Sequence, residues 1–445
     1  MELYSVVIIL LAVAIGLSPV ATRMKLPYPV LLLAAGIAVG FIPGFHRISI
    51  NPEVVFLIFL PPMLYDAAYN ISFKDFKANI QTISLLAIAL VFVTTTAIAA
   101  AVHYCIPGMT WPLSFVLGAI LSPPDAIAAT GVTKGLGLPH RTNVVLEGES
   151  LINDASALVA FRFAVAAVAG SAFIPWKAGV MFLVALVGGF LVGWGIWILF
   201  AFLVKKRKLD TNVIVSLNLL LPFVAYLIAE NIHVSGVIAV VTTGLIVSRH
   251  RDKFSEQTNI QSKSAWDTGV FILSGLVFIL IGLEFPHVLE NIPTQDILPL
   301  IGCAFLIFLV ALVIRMVVIF WHKINTKRQL LILRKRINDP KFKAAISQRG
   351  SVISKPYQAF EERIKIFESL LLHWKEAVII GWSGMRGIVS LAAAFSLPLV
   401  MADGSAFPQR DIILFLTVAV VILMLVIQGL GLPVLVKLLK IKEKK

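Results

Sequence analysis

Charged residues are scarce in this sequence. Asp, Glu, Lys and Arg make up 14% of its 445 residues, whereas soluble globular proteins carry about a quarter. Cysteine is scarcer still, since Cys105 and Cys303 are the only two. Two isolated cysteines provide neither a disulfide framework nor the ligand pattern of a zinc site. The composition therefore argues against a soluble globular domain and a cysteine-ligated metal centre, and we expect no cofactor.

Apolar residues are abundant instead. They make up 59% of the chain, and the mean hydropathy is +0.93. A helix of about 20 apolar residues crosses a bilayer core, and runs of that length recur from end to end. The sequence therefore predicts an all-α polytopic membrane protein with about 13 transmembrane helices. The predicted spans are 3–21, 27–42, 50–69, 79–103, 110–132, 142–170, 175–203, 211–231, 235–249, 265–286, 297–321, 376–400 and 409–436.

The positions of Lys and Arg predict the orientation, because inner loops of membrane proteins carry an excess of both. With the C-terminus inside and the N-terminus outside, 32 of the 38 lie in inner segments and three within spans. Only Arg47, Lys177 and Arg410 then lie on the outer side. The net charge of +14 follows from this topology, so it requires no nucleic-acid partner. The N-terminus lacks a basic segment, and we expect a retained first span rather than a cleaved signal peptide.

One long basic loop, 322–375, faces inside in this arrangement. Its second half has apolar residues at helical spacing, which predicts an amphipathic helix. Those residues are Phe360, Ile364, Phe367, Leu371 and Trp374. Such a helix either packs on the inner ends of the spans or lies on anionic lipid.

A polar string, "EGESLINDAS", interrupts the apolar span 142–170. Asp154 lies about half-way along this span, beside Asn153 and one helical turn after Ser150. A low dielectric favours the neutral form of a carboxylate, so Asp154 can hold a proton or exchange it for a small hard cation that prefers oxygen ligands. The alternative is an Asp that only makes hydrogen bonds between helices.

The preceding span carries "LSPPDAIAATG". Pro123 and Pro124 lack N–H groups, so we expect the helix to break there and leave the carbonyls of Ala119 and Ile120 without helical partners. Broken backbone at membrane depth lines a cavity or is buried in protein, and half-helix ends place partial charges at ion sites. Asp125 follows the break directly. A simple proline kink is the alternative.

A second weak point, "GWSGMRGIVSLAAAFSLP", lies late in the chain. Three glycines surround Arg386, which can balance the partial charge of facing carbonyl ends. One interrupted helix in each half is typical of an inverted-repeat transporter with its site at the midplane. A close-packing face rich in glycine is the alternative.

Other ionisable residues within spans need partners, because an unpaired buried charge is costly. Glu149 lies one turn before Asn153, and Arg315 has no acid in its own span, so we predict that these two pair. Asp66 and Arg162 lie near span ends, where a structural role is as probable as a functional one.

Four motifs together resemble the cation/proton antiporter-1 family. They are "EGESLINDAS", "LSPPDAIAATG", "GWSGMRGIVSLAAAFSLP" and "LPPMLYDAAYN", which contains Asp66. That family includes bacterial NhaP-type Na⁺/H⁺ antiporters and animal sodium/proton exchangers. The resemblance covers nearly the whole chain and implies NhaA/NhaP-like inverted repeats with two crossed unwound helices. It implies one transmembrane unit, 1–321 and 376–436, that forms a homodimer in the cytoplasmic membrane. Scaffold helices would come from 3–69 and 211–286, and an ion-translocating core from 79–170 and 297–436.

The resemblance also implies roles for single residues. Asp154 matches the ion-binding Asp, with Asn153, Ser150 and Asp125 around the ion. Glu149 and Arg315 match a salt bridge between helices, and Arg386 matches the arginine of the second unwound helix. Relatives often carry Thr where this chain has Pro124, so an ion bound there would have to use the Pro124 backbone carbonyl.

The sequence thus predicts a secondary antiporter that exchanges Na⁺ for H⁺, one for one, with both ions competing for Asp154. K⁺ or Li⁺ in place of Na⁺ stays open, because ion size and site rigidity, rather than oxygen type, separate these ions. A cation channel is a second alternative. An intramembrane aspartyl protease is disfavoured, because the sequence has no Gly-x-Gly-Asp string, and we expect no enzymatic activity.

Overall fold

A computed structural model describes residues 3–24, 28–42, 52–125, 138–170, 175–207, 209–290, 292–338, 363–365, 367–368, 370–401 and 404–440. Within these ranges the regular structure is helical, apart from one isolated antiparallel bridge between Val400 and Ala406. The helices are α1 (Leu3–Met24), α2 (Tyr28–Gly40), α3 (Pro52–Asn70), α4 (Phe73–Ser84), α5 (Leu90–Cys105), α6 (Trp111–Leu121), α7 (His140–Val168), α8 (Pro175–Arg207), α9 (Thr211–Asn231), α10 (Gly236–Arg249), α11 (Glu256–Glu290), α12 (Thr294–Asn338), α13 (Trp374–Trp382), α14 (Ile388–Phe395) and α15 (Arg410–Leu438).

Each predicted span overlaps one helix or one interrupted pair of helices. A π-helical turn, Leu85–Ala89, joins α4 to α5, and α13 and α14 together cover the span 376–400. Among the described residues, seven helices are long and apolar enough to cross a membrane, and four shorter apolar helices accompany them. The predicted all-α membrane class is confirmed. The number of crossings stays a prediction.

Two helices stop inside the predicted spans. Helix α6 ends at Leu121 with Ser122 as its C-cap, and the two prolines that follow cannot donate to its last carbonyls. The rest of that span, 126–132, lies outside the described residues. The chain is also non-helical over 384–387, between α13 and α14. These two interruptions place backbone polar groups among buried side chains, although the crossing of two unwound helices stays a prediction.

The structure of the segment 322–375 differs from the sequence-based expectation. Helix α12 continues without interruption to Asn338, so the first part of 322–375 is helical. Residues 371–373 are not helical, and α13 starts at Trp374 because His373 and Glu376 form a capping box there. Leu371 and Trp374 therefore do not continue the predicted amphipathic helix, while Phe360 lies outside the described residues.

The helices pack in two groups. In one, α2 packs along α11, and α10 packs against α3, α8 and α9. In the other, α5 contacts α6 and α12, α6 contacts α7, and α12 contacts α13 and α15. The buried charged residues of the second group come from α7, α12 and the two interruptions.

Candidate functional site

Asp154 lies in the middle of α7 and is 3% exposed. Asn153 precedes it in the chain, and Ser150 lies one turn earlier on the same face of the helix. Both of these side chains are buried as well. No ion pair reaches Asp154 from the residues that the structure describes, whereas the Asp125 carboxylate is close enough to interact with it as a like charge.

Asn153 joins α7 to the broken end of α6. Its Nδ2 donates a hydrogen bond to the Pro124 carbonyl oxygen at 2.9 Å. Its Oδ1 is buried and has no hydrogen-bond partner in the described part of the chain. The Pro124 carbonyl, which the sequence suggested as an ion ligand, is thus already an acceptor, and Asn153 Oδ1 is an additional oxygen beside Asp154.

Asp125 links the two interrupted segments. Its backbone N–H donates to the Met385 carbonyl at 2.7 Å, and its Oδ2 accepts from the Ile388 N–H at 3.0 Å. The carboxylate therefore caps the N-terminus of α14, where free N–H groups favour negative charge. A Cβ atom at Gly387 would overlap Asp125 Oδ2, so this approach requires glycine at 387.

Arg386 binds the carbonyl end of α6. Its Nε donates to the Leu121 carbonyl at 2.8 Å, one Nη donates to the Ser122 carbonyl at 3.1 Å, and the other Nη donates to the Gly384 carbonyl. The Ala119 and Ile120 carbonyls, which the sequence predicts to lack helical partners, are not its acceptors, and the Ala119 carbonyl accepts from Ser122 Oγ at 3.1 Å. A buried guanidinium stabilises the negative end of the short helix.

Glu149 and Arg315 are in direct contact, as their pairing predicted. Two hydrogen bonds of 2.5 and 2.8 Å join the guanidinium to both carboxylate oxygens. Arg315 Nε also donates to the Ile380 carbonyl at 3.0 Å. The Arg315 and Glu149 side chains are 2% and 1% exposed. This pair connects α7, α12 and α13, and such bidentate geometry is the strongest form of ion pair.

The buried charges of the described residues are unevenly balanced. The formally charged residues that are buried are Asp125, Glu149, Asp154, Arg315 and Arg386. Four of these sum to zero, and the remaining negative charge corresponds to Asp154. The described residues contain no cluster of three or more His, Cys, Asp or Glu that could hold a metal ion. A cation at Asp154 would therefore use mainly hydroxyl, amide and carbonyl oxygens besides the carboxylates.

Asp66 and Arg162 lie away from this centre. Asp66 accepts a hydrogen bond from Asn70 at 2.7 Å, near the end of α3. Arg162 forms an ion pair of 2.8 Å with Glu230 of α9. Sequence reasoning missed Glu230, although its place at the end of a predicted span, on the same side of the membrane as Arg162, was a usable signal.

The chain is similar to known membrane transporters over nearly its whole length. The family described as "Sodium/hydrogen exchanger, transmembrane" matches residues 7–350 and 363–438. A sodium, potassium, lithium and rubidium/H⁺ antiporter of Bacillus pumilus is 33% identical over 98% of this chain and 61% of the relative. This chain therefore spans about three fifths of that antiporter's length. The Na⁺/H⁺ antiporter NhaH of Halobacillus dabanensis is 29% identical over 98% of both chains.

A solved structure shares the fold. The sodium proton antiporter MjNhaP1 of Methanocaldococcus jannaschii, determined at pH 8, aligns with a TM-score of 0.70 over 98% of this chain and 97% of that chain. The identity is 16%, so this likeness shows the architecture alone.

Proposed function

This chain belongs to the transmembrane sodium/hydrogen exchanger family, and we propose on that basis that it exchanges a monovalent cation, Na⁺ foremost, for H⁺. Members of this family are transporters, and the chain is a multi-pass membrane protein. The observation that carries the proposal is Asp154, the one carboxylate left uncompensated among the buried charges of the described residues, which otherwise cancel.

The charge balance suggests how exchange proceeds. An isolated charge is costly in a low-dielectric interior, so Asp154 has to be neutralised whenever its site moves between the two sides. A proton does this by bonding to the carboxylate, and Na⁺ does it by coordination to the carboxylate with Ser150, Asn153 and Asp125 nearby. The two ions exclude each other, so one ion leaves as the other enters. Since the loaded site is neutral in both cases, exchange is one for one without net charge.

The helix packing supports a division into a scaffold and a core. The scaffold would comprise 3–69 and 211–286, and the core 79–170 and 297–436, in agreement with the two packing groups. Alternating access is then a movement of one group against the other around the site. The homodimer, the cytoplasmic membrane, contact with its lipid and the inner C-terminus rest on the family resemblance and on the positions of Lys and Arg.

The cation is tested by flux. Purified protein in liposomes with a trapped pH dye should change the internal pH when Na⁺ is added outside, and Li⁺, K⁺ and Rb⁺ are added in parallel across a pH series. A response to K⁺ alone would favour the K⁺/H⁺ alternative, which the name of the Bacillus pumilus relative makes worth testing. Single-channel currents in planar bilayers would instead identify a channel.

A further inference from the structure

A cavity of about 480 Å³ lies between α7 and the end of α9. Leu158 and Phe161 of α7 form one wall, and Tyr226 and Glu230 of α9 form another. Val237 at the start of α10 also contributes. The proposed orientation puts this cavity on the outer side, because α7 and α9 both run outward.

The cavity leads toward Asp154. Ala155, which also lines it, directly follows Asp154 in the chain. Leu158 and Phe161 lie four and seven residues after Asp154, a spacing that puts all three on one face of a helix. The eight residues from Asp154 to Arg162 correspond to about 12 Å of helix. The wall of the cavity therefore extends to within one helical turn of the proposed ion site.

An ion pair lies at the mouth of this cavity. One Nη of Arg162 lies 2.8 Å from Glu230 Oε2, and the two side chains are 57% and 28% exposed. The other oxygen, Glu230 Oε1, accepts from the Gly236 N–H at 3.1 Å. The turn after α9 is also attached to α8, where the Ser235 N–H donates to the Ala185 carbonyl. Glu230 is thus held in place by its own group of helices, while Arg162 reaches it from α7.

We propose that the Arg162–Glu230 ion pair is an outer gate on the route to Asp154. In the closed state the Arg162 guanidinium is paired with the Glu230 carboxylate, and this ion pair joins α7 to α9 across the mouth of the cavity. In the open state the released Glu230 carboxylate attracts a hydrated monovalent cation into the cavity. This inference rests on the proposed function, because a gate matters only where ions pass. Partly exposed ion pairs stabilise a contact only weakly, which suits a contact that breaks in every transport cycle.

The gate is tested by cysteine accessibility. Cys105 and Cys303, the only cysteines of the chain, are first changed to Ser. Ala155→Cys then reports on the cavity, and Ala157→Cys is the matched control, because both alanines lie on α7 and are 3% exposed but only Ala155 lines the cavity. An uncharged, hydrophilic, membrane-impermeant methanethiosulfonate is added to the outside of right-side-out vesicles, and the labelling rate is measured. Because the reagent is uncharged, removal of the Glu230 charge does not itself change its attraction to the cavity.

We expect Ala155→Cys to react from outside and Ala157→Cys to remain unlabelled. Glu230→Gln should raise the Ala155→Cys rate by about 2- to 5-fold, the range that loss of a partly exposed ion pair allows. Gln keeps an oxygen acceptor for the Gly236 N–H, so the turn after α9 should stay folded. Arg162→Lys keeps the positive charge. The Ala155→Cys labelling rate in this variant should therefore be close to the rate measured when Arg162 is unchanged.

The gate is overturned if Glu230→Gln leaves the labelling rate unchanged, if both cysteines react equally, or if labelling occurs only from the inner side. Labelling requires no transport, so it is independent of the cation flux assay. Absence of exchange of H⁺ for any of the four cations, together with the expected labelling, would refute the proposed function. Normal cation/H⁺ exchange, together with an Ala155→Cys labelling rate that Glu230→Gln does not change, would refute the gate alone.

Discussion

Buried charges of two kinds lie in the interior of this protein. Glu149, Arg315, Asp125 and Arg386 each have partners within the described residues, either an opposite charge or backbone groups at a helix end. Asp154 has no cationic partner among the described residues. The first kind connects helices, and the second is the carboxylate that we propose exchanges a proton for a metal cation.

The Glu149–Arg315 pair should stabilise the protein without carrying ions. Removal of one member of a buried pair costs about 3–5 kcal/mol, because the other charge is left uncompensated. Glu149→Ala or Arg315→Ala should therefore lower both the melting temperature in detergent and the transport rate. The double change should cost less than the sum of the single changes. Strict additivity in this cycle would return Glu149 to the group of candidate ion ligands.

The residue types of the candidate site could be predicted from the sequence, but their contacts mostly could not. Glu149 and Arg315 could be paired because each needed a partner. The backbone partners of Arg386 and Asp125 were not predictable, since they lie 265 and 263 residues away along the chain. Sequence periodicity describes neighbours on one helix and contains no such distances.

At the scale of elements, the two interruptions depend on each other. The prolines end α6, and the segment 384–387 supplies Arg386 to the carbonyls thus exposed. In return, Asp125 caps α14. The breaks themselves could be read from local signals, namely adjacent prolines and closely spaced glycines. Their mutual bonding is tertiary structure, and it explains why polar backbone is tolerated in a buried position.

Gly387→Ala should separate the two interrupted segments. The added Cβ would overlap the Asp125 carboxylate, so either the cap of α14 is lost, at about 0.5–2 kcal/mol, or the backbone shifts at about 1–3 kcal/mol. We expect a lower melting temperature and a large loss of exchange. Gly302→Ala on α12 is the control, because a Cβ there meets no atom within 4 Å. Equal behaviour of the two variants would show that the close approach at 387 is unimportant.

At the scale of the whole molecule, hydropathy alone did not predict the full length of α12. Its 45 residues correspond to about 67 Å, roughly twice the thickness of a bilayer core. The apolar pattern stops near residue 321, but residues 322–338 include three Lys, three Arg and three Leu, which favour helices. The span 297–321 could be predicted from hydrophobicity, whereas α12 continues beyond it because the residues that follow have high helix propensity. An ion pair of 2.6 Å between Arg334 and Glu368 then joins the C-terminal end of α12 to the segment before α13.

The central claim for the whole molecule is that Asp154 carries the cation and the proton in turn. The most direct measurement is the Na⁺-driven change of internal pH in proteoliposomes, recorded at zero potential and at an imposed potential. We predict that the rate is the same at both potentials, that Asp154→Asn abolishes it while the protein stays folded, and that Asp66→Asn, a control acid outside the core, preserves it. Near-normal Na⁺-driven exchange in Asp154→Asn would contradict the account.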